Sequence, residues 1–134
     1  MNFHKHVLIA DDSTIVRHIL KKYLATRTDV VVCGEAVNGR EAVQKAMTLK
    51  PDLVLLDLAM PEMNGAEVAS VLKGAMPDIH VILFTMFGEN IGKCLSSAIG
   101  VDAVLSKPDG VTQLAGAIDA ALSQGSGTGR PLSG

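Results

Sequence analysis

A parallel, doubly wound α/β sheet of five strands is the fold this sequence predicts, and two observations carry the prediction. Five short apolar runs recur at similar intervals, Val7 to Ala10, Val30 to Cys33, Leu53 to Leu56, Val81 to Phe84 and Val101 to Leu105. They are continuous rather than alternating, as strands covered on both faces are. The stretches between them place apolar residues at helical spacing, so the order reads βα five times, and crossovers of that kind join parallel strands. With 48% hydrophobic and 19% charged residues over 134 positions, the chain can fill one core without disulfides or a structural metal.

The first strand leads into a helix whose apolar stripe is expected at Ile15, Val16, Ile19, Leu20, Tyr23 and Leu24, with Arg17, Lys21 and Lys22 on its solvent face. The second and third helices share a start signal. Asn38-Gly-Arg-Glu41 and Asn64-Gly-Ala-Glu67 each present an Asn to cap free N–H groups and a Glu three residues on. Val43, Ala46 and Met47 continue the second helix, and Val68, Val71 and Leu72 the third; Pro51 and Pro77 close the connections into the following strands. A weaker helix spans roughly Asn90 to Ile99, and a last one carries Leu114, Ile118, Ala121 and Leu122. Residues 1–124 are expected to form the folded domain, and the Gly- and Ser-rich residues 125–134 a flexible C-terminal tail or linker.

Charge and cysteine usage narrow the function classes. The 12 Lys and Arg against 14 Asp and Glu leave a net charge of −2, which predicts no direct nucleic-acid binding and no attraction to an acidic membrane. Cys33 and Cys94 stand far apart and in no metal-ligand spacing, as expected of a reduced interior. No leader pattern and no run of about 18 apolar residues is present, so a cytoplasmic location is expected.

Ligands of doubly wound sheets sit beyond the C-terminal ends of the strands, where the winding reverses. In this sequence Asp11 and Asp12 follow the first strand, Asp57 the third, Thr85 the fourth, and Lys107-Pro108 the fifth. If the strand order is 2-1-3-4-5, the first and third strands are neighbours and three carboxylates converge. Such a cluster tolerates full ionisation with a cation present, and oxygen-only ligands select a hard ion such as Mg²⁺. A carboxylate beside Mg²⁺ is a competent nucleophile toward phosphorus, while an ammonium and a hydroxyl hold the remaining phosphoryl oxygens. Asp57, Lys107 and Thr85 match those parts. Taken singly, each residue has an ordinary explanation: a solvated lysine, a turn threonine, or Asp12 or Ser13 as the cap of the first helix. His4 and His6 are expected to be a solvated N-terminal pair.

The motifs Asp11-Asp12-Ser13, Leu55-Leu56-Asp57-Leu58-Ala59-Met60-Pro61-Glu62-Met63-Asn64-Gly65, Thr85 and Ser106-Lys107-Pro108 resemble the receiver domain of two-component response regulators, over about residues 5 to 123. The resemblance implies a flavodoxin-like (βα)5 fold with strand order 2-1-3-4-5. It implies that Asp57 accepts a phosphoryl group from a sensor histidine kinase or histidine phosphotransfer protein. Asp11, Asp12, Asp57 and the Ala59 backbone carbonyl would hold Mg²⁺, and Thr85 and Lys107 would read the phosphoryl group. Gly65 would permit the turn into the third helix. The protein would be a phosphoacceptor rather than an enzyme, passing its state to a downstream protein through the helix over residues 90–99, the fifth strand and the last helix.

Two departures from the family pattern bear on this. Val104 stands where many receivers have the Tyr or Phe that swings inward, and a stiff β-branched side chain has no ring to move. Ala59 and Phe87 offer no group to orient water, and Met86 is bulkier than the small residue many relatives carry at that place, which predicts slow self-dephosphorylation. Ala59 also removes the second acid that a phosphatase of the haloacid dehalogenase type needs, and Asp11-Asp12 would repel a flavin phosphate. A phosphorylation-independent interaction module of the same fold is the remaining alternative.

Overall fold

The structure is a computed structural model describing residues 4–60, 62–85, 101–106 and 110–123. Five strands, β1 (Lys5–Ala10), β2 (Val30–Ala36), β3 (Leu53–Asp57), β4 (His80–Thr85) and β5 (Ala103–Ser106), form one sheet. All pairings are parallel and the order is β2-β1-β3-β4-β5, as the sequence predicts. The described helices are α1 (Thr14–Ala25), α2 (Gly39–Leu49), α3 (Gly65–Ala75) and α4 (Gly110–Ser123). The helix expected over 90–99 and the tail expected at 125–134 lie outside the described residues.

Both faces of the sheet are buried, which explains the absence of alternation. Leu8 and Ala10, Val54 and Leu56, and Val81 and Leu83 face one core with Ala42, Ala46, Val68, Ala69 and Leu72 of α2 and α3. Their strand neighbours Val7 and Ile9, Leu53 and Leu55, and Ile82 and Phe84 face the other, with Leu20 and Leu24 of α1 and Leu114 and Ile118 of α4. Over these residues β1, β3 and β4 alternate between two apolar environments instead of between core and water, whereas the edge strand β2 leaves Val31 exposed. Val104, the residue without a ring, is a partly buried member of the first core and pairs with Leu83.

The strands outrun the apolar runs where backbone pairing continues. β2 extends to Glu35 and Ala36, paired with Ile9 and Ala10, after a shift in register that leaves Cys33 as the extra residue of a bulge. The helical stripes are narrower than the sequence predicts. Ile15, Ile19, Met47 and Val71 are exposed, because a helix lying on a sheet buries only the residues along its line of contact. In α1 that line is Val16, Leu20, Tyr23 and Leu24.

Both Asn caps form. Asn64 makes a full capping box with Glu67. Asn38 accepts from the Glu41 N–H at 2.8 Å, but the Glu41 carboxylate reaches one residue further back, to the Val37 N–H at 2.8 Å.

Candidate functional site

Asp11 is the residue after β1, and Asp57 is the last residue of β3. The register Ala10↔Leu56 therefore makes the two acids next neighbours across the seam where the winding of the sheet reverses. Asp11, Asp12 and Asp57 each offer a carboxylate oxygen, and these oxygens lie within 4.8 Å of one another. Asp11 is 1% exposed and Asp57 5%, whereas Asp12 is open to solvent. Three like-charged groups this close repel one another, and a cation among them would offset that repulsion. The donor set is carboxylate oxygen, without His or Cys, and it fits a hard divalent cation such as Mg²⁺.

The backbone under these acids is fixed at each step. The Asp11 N–H donates to the Ala36 carbonyl at 3.0 Å, and one Asp11 carboxylate oxygen accepts from the Ser13 N–H at 2.8 Å. Ser13 is the cap of α1, its Oγ accepting from the Val16 N–H at 3.2 Å. This settles the alternative raised by the sequence: the serine caps the helix, and the Asp12 carboxylate stays with the acidic group.

On the other strand, the Leu58 N–H donates to the Phe84 carbonyl at 2.7 Å and extends the β3–β4 pairing beyond Asp57. The Ala59 N–H donates to the Asp57 carboxylate at 3.3 Å, holding the exposed Ala59 backbone beside the acid. The loop then closes on itself through the Gly65 N–H and the Leu58 carbonyl at 2.8 Å. Gly65 is needed for a reason other than the turn geometry expected of it. A Cβ there would stand 2.5 Å from the Asp57 carbonyl oxygen and 2.8 Å from the Leu58 Cα, so glycine allows the start of α3 to lie against the strand end. The left-handed residue of this loop is Glu62, at φ 72°. Gly39 likewise lets the start of α2 lie against the Met63 backbone.

Thr85 ends β4, pairs with Ser106 of β5, and follows Phe84, the register partner of Asp57. Its backbone thus belongs to the same rim. Lys107, Pro108, Met86 and Phe87 lie outside the described residues. His6 is exposed on β1 and His4 precedes it; neither belongs to the acidic group.

Arg17 is the residue that sequence reasoning misplaced. Instead of a solvated face, its side chain is 13% exposed, with one guanidinium N–H donating to the Asp11 carbonyl at 2.7 Å and Nε donating to Glu35 at 2.9 Å. Lys21 meets the second Glu35 oxygen at 2.8 Å, and Lys45 Nζ donates to the Glu35 carbonyl at 2.5 Å. The Lys21 ammonium, and after it the Arg17 guanidinium, hold the Glu35 carboxyl below its ordinary range against the opposing effect of burial. Position offered a signal: a cation in the first turn of a helix opposes the helix dipole, and helical side chains lean toward the N-terminus, here toward the loop that carries Asp11.

Among the described residues, no helix is long and apolar enough to cross a membrane. The family model for the response regulator receiver domain matches residues 7–119. The response regulator protein VraR of Staphylococcus aureus (strain Mu3 / ATCC 700698) is 38% identical over 112 residues, 84% of this chain and 54% of VraR. The chain therefore spans about half the length of the curated relatives it matches. The response regulator domain of Thermotoga maritima CheB superposes with a TM-score of 0.78 at 29% identity, covering 89% of this chain and 97% of that one. A DNA-binding response regulator of the LuxR family from Staphylococcus aureus gives 0.80 at 25% identity, covering 87% and 98%. The expectation that nucleic acid plays no part rests on charge alone and gains no support from these relatives.

Proposed function

The chain belongs to the response regulator receiver domain family of two-component systems, and on that premise we propose that it accepts a phosphoryl group on Asp57, with Mg²⁺, from a phosphohistidine of a sensor histidine kinase or histidine phosphotransfer protein. The observation that carries this reading is the gathering of three carboxylates within 4.8 Å, two of them buried. Interaction alone gives no reason to confine like charges in this way, so the phosphorylation-independent module is not favoured.

Bound at Asp11, Asp12, Asp57 and the Ala59 carbonyl, Mg²⁺ would supply charge neutralisation for the phosphoryl oxygens. Asp57 does the chemistry. One of its oxygens forms the new O–P bond as the N–P bond of the phosphohistidine breaks, and the imidazole nitrogen keeps the electron pair and takes up a proton. The Ala59 N–H orients the carboxylate. The Thr85 hydroxyl and Lys107 ammonium are assigned to the remaining phosphoryl oxygens. The chain is the substrate of this transfer rather than a turnover enzyme, and Ala59, exposed and without a polar side chain, leaves the phosphorylated form slow to hydrolyse.

A cytoplasmic location fits a phosphoryl donor of this kind. One similar regulator is a DNA-binding protein of the LuxR family, so a net charge of −2 is no ground for excluding DNA as a target. Incubation with Mg²⁺ and a small acyl phosphate, followed by intact mass, tests the assignment. The native protein is expected to gain one phosphoryl group and Asp57→Asn none. Equal labelling of both would overturn it.

A further inference from the structure

We infer that Arg17, locked onto Glu35, is a positioning residue for the cation site, an inference that rests on the function proposed above. The group that Arg17 grips is the Asp11 carbonyl, at 2.7 Å, and that carbonyl belongs to the peptide joining Asp11 to Asp12. Fixing it fixes the plane from which the Asp12 side chain departs. This matters because Asp12 is the one solvent-exposed member of the acidic group and lacks the packing that immobilises Asp11 and Asp57.

Glu35 decides what the guanidinium does. A free arginine beside three carboxylates would pair with one of them and compete with a cation. Here the Nε–H is taken by Glu35 at 2.9 Å, Glu35 is held in turn by Lys21 at 2.8 Å, and its backbone carbonyl is held by Lys45. The planar fork of arginine spans the β2 carboxylate and the β1–α1 carbonyl together, which a lysine ammonium does not do. β2 thereby supports a loop whose acids it does not itself supply. Outer residues that orient metal ligands commonly change affinity by 10- to 100-fold when removed.

The test is Mg²⁺ titration by calorimetry on the native protein, Arg17→Gln, Arg17→Lys and Glu35→Ala, with thermal midpoints recorded in EDTA. Arg17→Gln is expected to weaken Mg²⁺ binding about ten-fold. Arg17→Lys should restore only part of it. Glu35→Ala should weaken it as well while leaving the Arg17 side chain in the protein, so it serves as the second reading if Arg17→Gln is poorly folded. A variant carrying both Arg17→Gln and Glu35→Ala should bind Mg²⁺ no more weakly than Arg17→Gln alone, since both act through one chain of contacts. Unchanged Mg²⁺ affinity with a lowered midpoint in EDTA would show a purely structural role and overturn the inference while leaving the proposed function standing. Failure of the native protein to bind Mg²⁺ would overturn both.

Discussion

At the N-terminal ends of the strands, Asp102 accepts from the Val81 N–H at 2.8 Å and meets His80 at 3.1 Å and Lys73 at 3.9 Å; at the C-terminal ends, three acids stand within 4.8 Å of one another. The first rim distributes its acids among partners. Asp52 likewise accepts from the His6 N–H at 2.8 Å, and the cavity at that end, of about 230 Å³, is lined by Lys5 and Lys50 as well as by Asp52 and Asp78. The second rim has cations close by, yet Arg17 is turned to a carbonyl and to Glu35. One rim is arranged for stability, and the other concentrates charge at the place where a doubly wound sheet binds its ligands.

Substitutions on the two rims should therefore differ in kind. The largest loss of stability is expected for Gly65→Ala, whose Cβ would strike backbone atoms that cannot move aside, at about 3 kcal/mol in urea unfolding. Gly74→Ala in the same helix meets nothing within 4 Å and should instead stabilise by about 0.5–1 kcal/mol. Equal effects at the two glycines would refute the close approach of α3 to Asp57. Next, Asp102→Ala strips the Val81 N–H and His80 of a partner and should destabilise by about 2 kcal/mol, while labelling of Asp57 by acyl phosphate is retained at saturating Mg²⁺. Loss of labelling in a folded Asp102→Ala protein would erase the distinction between the rims.

The smallest effect concerns pH. The folded-state pKa of Glu35 is depressed from 4.5, so its stabilisation is complete above that value and is lost as pH falls through the lower folded value. Its side chain is 32% exposed, and screening keeps the contribution small. Thermal midpoints of the native protein should fall more steeply below pH 4.5 than those of Glu35→Gln. Parallel curves would count against the Arg17–Glu35–Lys21 arrangement.

Strand positions and the acidic rim were legible because they follow from pattern and topology. Apolar runs buried on both faces mark the strands, and one choice of strand order brings Asp11 beside Asp57. What escaped depends on three-dimensional contact. The outward turn of Ile15 and Ile19 reflects where the sheet meets α1, which a stripe of apolar letters does not specify. Asp102 lies in no motif, and its work on Val81 and His80 exists only once β4 and β5 are paired. At Gly65, close backbone approach and turn formation call for the same residue, and only the packed structure shows the approach to Asp57 and Leu58.

The most direct measurement is Mg²⁺ binding by titration calorimetry to the native protein, to the Asp11→Asn, Asp57→Asn double variant, and to Asp102→Asn. A single site in the native protein, abolished in the double variant and unchanged in Asp102→Asn, is the result expected if the crowded rim is a cation site. Binding that survives the loss of both buried carboxylates, or that depends instead on Asp102, would contradict it.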